Sequence, residues 1–184
     1  VADLWIFGYG SLMWRPGFDF IERQPALLRG AHRSLCVYSY VHRGTEEKPG
    51  LVLGLDSGGS CRGIAFRVKS AAAGATIDYL RGREQVTMVY REAFRSVRLL
   101  DGTTRKVQAV CFLVDRRHPQ YAGRLPVSKQ AELVAHGHGQ SGDNVEYVAN
   151  TLSHLDEMGL RENALQQVMA QLGTSKYLPK SAKF

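Results

Sequence analysis

The chain has 184 residues, 44% of them hydrophobic and 22% charged, a balance that fits one ordinary globular domain and excludes disordered, collagen-like and coiled-coil chains. Lys and Arg number 24 against 17 Asp and Glu, which leaves a net charge of +7. That charge favours an anionic partner without choosing among nucleic acid, a membrane surface and an acidic small molecule.

Leu4 to Tyr9 has the pattern of a short buried strand, broken at Gly10-Ser11. Leu35 to Val41 is a second strand, ended by the loop Arg43 to Gly50. Leu51 to Leu55 and Gly63 to Val68 predict a hairpin across Asp56-Ser57-Gly58-Gly59-Ser60. The period then changes: Ala73, Ile77 and Leu80 predict a helix from Ala71 to Arg83, ending near Glu84. Tyr90 to Leu100 and Arg105 to Val114 are two longer strands joined through Asp101-Gly102, a strong hairpin signal. Three helical patterns follow, Val127 to Ala135, Val145 to Met158 and Arg161 to Leu172, with Gly159 and Gly173 as stops. Asp143 with Glu146 fits an N-cap followed by an acid three residues on. The expected class is α+β: a small, curved, mainly antiparallel sheet or barrel with helices against it, concentrated in the C-terminal third. One domain is expected over 1–177, with a loosely held tail at 178–184.

No apolar run approaches the roughly 20 residues needed to span a bilayer, and no leader pattern opens the chain. Cys36, Cys61 and Cys111 are odd in number, without CxxC pairing, and lie in strand-like runs. They fit buried thiols in a reducing, cytoplasmic compartment. Gly137-His138-Gly139-Gln140-Ser141-Gly142 has the letters of a dinucleotide fingerprint but follows a predicted helix rather than a strand. Asp143 stands where a phosphate loop needs lysine, so the stretch is a glycine-rich turn entering a helix. Six histidines include no familiar ligand spacing, and no metal is expected. The basic residues are dispersed, Arg116-Arg117 being the densest pair, and no nucleic-acid motif organises them.

Phe7-Gly8-Tyr9-Gly10-Ser11-Leu12 is a different matter, because a buried strand runs there into a turn of small residues. Successive N–H groups in such a turn can form a nest for a carboxylate or carbonyl oxygen, with Ser11 adding a hydroxyl. The same letters also describe a plain strand end. Tyr79-Leu80-Arg81-Gly82-Arg83-Glu84 sets an acid at a helix end, which is either solvated beside an arginine or chemically active.

Taken with these two segments, the chain resembles the ChaC-type γ-glutamylcyclotransferases. The matching features, in family order, are Phe7 to Leu12 with Trp14 and Pro16, His42-Arg43-Gly44-Thr45 with Pro49-Gly50, and Gly63-Ile64-Ala65-Phe66. Tyr79-Leu80 with Arg83-Glu84 and Tyr90 follow, then Ser141-Gly142, Asn144 and Glu146-Tyr147. Glu46, where the family often has Pro, and Val89, where it often has Gly, depart from the pattern.

The resemblance implies that the α-amine of glutathione attacks its own γ-carbonyl, giving 5-oxoproline and cysteinylglycine without cofactor or metal. It assigns proton transfer to Glu84. The N–H groups from Tyr9 through Gly10 and Ser11 to Leu12 would take the α-carboxylate. Tyr147 would meet the amine or carboxylate, or else simply pack, and Arg43 would meet the distal carboxylate. Burial beside Leu80 and Val86 raises a carboxylate pKa, whereas Arg81 and Arg83 lower it. A working base therefore predicts both guanidiniums turned away. Other γ-glutamyl amines or peptides are alternative substrates, and a non-catalytic binding relative is the alternative outside enzymology.

Overall fold

The computed structural model describes residues 1–85 and 88–173; Val86 and the 178–184 tail lie outside them. The strands are β1 (Leu4–Gly8), β2 (Glu22–Ser39), β3 (Gly50–Val68), β4 (Tyr90–Leu99) and β5 (Lys106–Val114). Helix α1 (Ala73–Glu84) lies between β3 and β4. After β5 come α2 (Val127–His136), the two-residue strands β6 (His138–Gly139) and β7 (Gly142–Asp143), α3 (Asn144–Glu157) and α4 (Asn163–Gly173). The chain divides into two compact units, one of residues 1–33 and 54–118, the other of 34–53 and 119–184.

The first unit carries a closed barrel in the order β1-β3-β2-β4-β5. β1 pairs antiparallel with β3, from Leu4↔Val68 to Gly8↔Ile64, and parallel with β5 through Trp5↔Ala109 and Ile6↔Val110. Trp5, Ile6 and Phe7 are all buried, so both faces of β1 are covered, which is why it is apolar without alternation. β4 and β5 form the long hairpin expected around Asp101-Gly102, in register from Tyr90↔Val114 to Arg98↔Lys106. Helix α1 lays Leu80 into a cluster with Ile6, Leu12, Val68, Val110 and Phe112.

Two predicted elements need correction. The expected hairpin at 51–68 is one continuous strand. Gly58 and Gly59 adopt φ of +98° and +69° within it, so they kink β3 where a turn was expected. The Asp56 carboxylate receives Ser57 N–H and Arg116 Nε–H, both at 2.8 Å, and so serves the kink. The strand expected at Leu35 to Val41 begins instead at Glu22 and stops at Ser39. Pro25 and Gly30 (φ +87°) obscured its first half.

In the second unit α2, α3 and α4 pack on one another through Ala131 and Val134, Val145, Val148 and Leu155, and Leu165, Val168 and Leu172. These residues follow the spacing of one apolar helical face. Gly159, at φ +69°, closes α3 as expected, with Leu160 N–H on Leu155 O. Asp143 stands at the N-cap of α3, but its side chain makes no cap bond. Its carboxylate lies 2.6 Å from His138 Nδ1 instead. Among the described residues no helix is long and apolar enough to cross a membrane.

Candidate active site

In the barrel unit, β1 delivers the chain into a single 3-10 turn, Ser11–Met13. Gly8 makes the tight entry possible, since a Cβ there would stand 3.1 Å from Leu12 Cβ. Met13 N–H closes the turn on Gly10 O at 2.9 Å, and Arg15 N–H bonds Ser11 O at 2.7 Å. Such a turn leaves its first amides, here those of Ser11 and Leu12, without acceptors inside it. Tyr9 and Leu12 are buried, whereas Ser11 is exposed.

Glu84, the last residue of α1, comes to this turn by helical periodicity. It stands four residues beyond Leu80 and so shares the helix face whose Leu80 joins Leu12 in the buried cluster. Arg83 ties helix end and turn together. Its Nη2 donates to Ser11 Oγ at 2.8 Å, and its Nη1 to Arg15 O, Pro16 O and the Tyr79 hydroxyl at 2.7, 3.2 and 3.2 Å. Gly17, at φ +74°, leaves the room that the Tyr79 hydroxyl occupies.

The Glu84 side chain is 17% exposed, and burial pushes its pKa above the ordinary glutamate range against the opposing pull of Arg83. Arg81 is turned away as expected, paired with Glu92 at 2.8 Å and with Asp78 at 3.8 Å. Arg83 is a correction: its Nε lies 3.6 Å from Glu84 Oε1. Its other nitrogens are committed to the turn, and desolvation is the larger influence on the carboxylate. The outcome is a carboxylate with raised proton affinity, linked through Arg83 to a turn with amide donors, a fit arrangement for moving a proton on a bound polar substrate.

A cavity of about 170 Å³ also opens in this unit, rimmed by Arg29, Arg91 and Arg95. None of its lining residues is an acid or a histidine.

In the second unit, Arg43 and Tyr147 are brought together. The guanidinium lies over the Tyr147 ring, 5.5 Å from its centroid, and Nη1 donates to Asp143 O at 3.1 Å. The Tyr147 hydroxyl accepts Leu53 N–H at 3.0 Å, so Tyr147 supports β3 as well as presenting a phenol. Asn144, fully buried, takes Leu51 N–H at 2.7 Å and donates to Leu51 O at 2.8 Å.

Residues 4–175 match the family model described as ChaC-like protein. The chain belongs to the ChaC-like family. Among the relatives of this ChaC-like chain is the glutathione-specific γ-glutamylcyclotransferase of Escherichia coli (strain K12), 34% identical over 171 residues, 93% of this chain and 73% of that one. The glutathione-specific γ-glutamylcyclotransferase 1 of Homo sapiens is 29% identical over 175 residues, 93% of this chain and 79% of its own. The crystal structure of the yeast γ-glutamyl cyclotransferase specific to glutathione matches with a TM-score of 0.82 at 22% identity, covering 94% of this chain and 99% of that one. At that identity the likeness establishes the fold.

Sequence reasoning missed two residues of this ChaC-like chain. Arg33 is 5% exposed and donates from Nε to Tyr9 O and from Nη2 to Arg62 O at 2.7 Å. Its place between polar strand neighbours, His32 and Ser34, gave no sign of burial. Asn144 stood among the matched motifs, but its grip on Leu51 spans 93 residues and has no local signature.

Proposed function

We propose that this chain is a γ-glutamylcyclotransferase that cleaves the γ-glutamyl bond of glutathione. The observation that carries the reading is the largely buried Glu84 carboxylate, linked to Ser11 of the Tyr9–Leu12 turn through the Arg83 guanidinium between them. The α-carboxylate of the γ-glutamyl group is held by the turn's N–H groups. The Glu84 carboxylate takes a proton from the α-ammonium, freeing the lone pair. The amine nitrogen bonds to the γ-carbon, and the bond from that carbon to the cysteine nitrogen breaks. Glu84 returns its proton to the leaving nitrogen, and the ring nitrogen gives up its second proton to that nitrogen by the same route, so 5-oxoproline as the neutral lactam and cysteinylglycine as the ammonium leave with atoms and charge balanced. An ordinary glutamate, with a pKa near 4.3, is a poor base for an ammonium, and the upward shift at Glu84 narrows that gap. The attack is already intramolecular, so what the turn adds is to hold nitrogen and carbonyl in a near-attack arrangement.

Arg43 and Tyr147 keep, as proposals, the ligand roles that the resemblance gives them. Cys36, Cys61 and Cys111, buried thiols outside any disulfide, support a reducing, cytoplasmic setting. The test is incubation of the pure protein with glutathione and quantification of 5-oxoproline and cysteinylglycine. Turnover is expected in the wild type, with a loss of about 10²- to 10⁴-fold in Glu84→Gln. No product at millimolar glutathione overturns the reading. A parallel panel of γ-glutamyl dipeptides reads the breadth of donors.

A further inference from the structure

Arg33 supplies a buried cation directly behind the turn. A guanidinium withdrawn from water is tolerated only where several acceptors replace its hydration. Two of those acceptors belong to the turn: Nε donates to Tyr9 O, and Nη2 lies 3.9 Å from Met13 Sδ. A third, Arg62 O on β3, receives Nη2 at 2.7 Å and anchors the fork to the barrel wall.

The consequence follows from peptide geometry. In a trans planar peptide the C=O and the next N–H point in opposite directions. With Tyr9 O directed at the buried guanidinium, Gly10 N–H is directed away from it. The cation also polarises that peptide, which strengthens its N–H as a donor to an anion.

We propose that Arg33 is a positioning residue for the substrate carboxylate: its guanidinium holds Tyr9 O so that Gly10 N–H faces the α-carboxylate of the γ-glutamyl group. The proposal rests on the γ-glutamylcyclotransferase reading above. It requires the planar fork, because a lysine ammonium keeps the charge but cannot engage Tyr9 O, Arg62 O and Met13 Sδ in the same geometry.

Arg33→Lys is the test variant. With glutathione, KM rises roughly tenfold, as for one lost charge-assisted hydrogen bond, and kcat falls by less. Inhibition by 5-oxoproline, which carries the carboxylate in question, weakens in parallel, and inhibition by cysteinylglycine, which lacks it, does not. Unchanged KM, or equal weakening toward both products, overturns the proposal. A second measurement needs no variant: in ¹⁵N-labelled wild type, Gly10 N–H is among the amides moved furthest by added 5-oxoproline, and an unmoved Gly10 overturns the proposal. Absence of glutathione turnover by the wild type removes the functional reading, while the Gly10 shift still decides whether this peptide binds the carboxylate.

Discussion

Arg83 Nε stands 3.6 Å from Glu84 Oε1 while Arg83 Nη2 donates to Ser11 Oγ at 2.8 Å, so one guanidinium joins the Glu84 carboxylate to the turn proposed to hold the substrate. The two roles oppose each other chemically. Proximity lowers the proton affinity of Glu84, and the bonds of Arg83 to Ser11, Arg15 and Pro16 hold the helix end on the turn.

The acid limb of the pH–rate profile reads this balance. The proposed mechanism requires ionised Glu84, so the rate is expected to fall as pH drops through its raised pKa. Arg83→Gln removes the cationic restraint and leaves burial unopposed, which raises that pKa further. The limb therefore moves to higher pH in Arg83→Gln, measured as kcat/KM for 5-oxoproline release across pH 5 to 9. A limb that stays in place or moves to lower pH contradicts the placement of Arg83.

Stability gives an independent reading of the same carboxylate. Folding favours its neutral form, because the folded pKa lies above the unfolded value near 4.5. The favourable contribution is thus complete below the unfolded pKa and is lost as pH rises through the folded pKa. Glu84→Gln, permanently neutral, melts at higher temperature than wild type at pH 8, and the gap closes toward pH 4. Thermal scans across that range check the sign. A mutation that removes activity and raises Tm marks a group kept for chemistry at a cost in stability.

How far the sequence disclosed this molecule depended on the range of the forces concerned. The hairpin at Asp101-Gly102 and helices α2 to α4 depend on neighbours within a few residues, and local pattern located them. Glu84 was legible because Leu80, four residues earlier, marked the buried face of α1. The direction of its pKa was open, since the path of Arg83 toward Ser11 crosses 72 residues. Arg33 was illegible for a related reason: its acceptors, Tyr9 O and Arg62 O, are 24 and 29 residues distant. The continuous β3 strand was obscured because Gly-Gly carries the same local signal for a turn and for a kink.

That kink has a testable energetic basis. Gly58 sits at φ +98°, and no atom stands within 4 Å of a Cβ built there, so substitution meets backbone strain without collision. Gly58→Ala should cost about 1–2 kcal/mol, the penalty for placing an L side chain at positive φ. Urea denaturation measures it. A smaller loss of stability means that the strand does not need glycine at 58.

Tyr147 carries two demands that one variant separates. Its hydroxyl accepts Leu53 N–H at 3.0 Å, and Tyr147→Phe leaves that amide without this partner. Stability falls by about 0.5–1.5 kcal/mol, the net worth of one hydrogen bond, read as a lower urea midpoint. The Arg43 guanidinium still lies over the ring in the phenylalanine variant, because a cation–π contact needs only the aromatic face. Any change in KM for glutathione therefore reports the hydroxyl itself rather than a displaced arginine. The ligand role proposed for Tyr147 predicts a raised KM at 25 °C, where the destabilised variant is still folded. A lower urea midpoint with unchanged KM and kcat makes the residue a support for β3 alone.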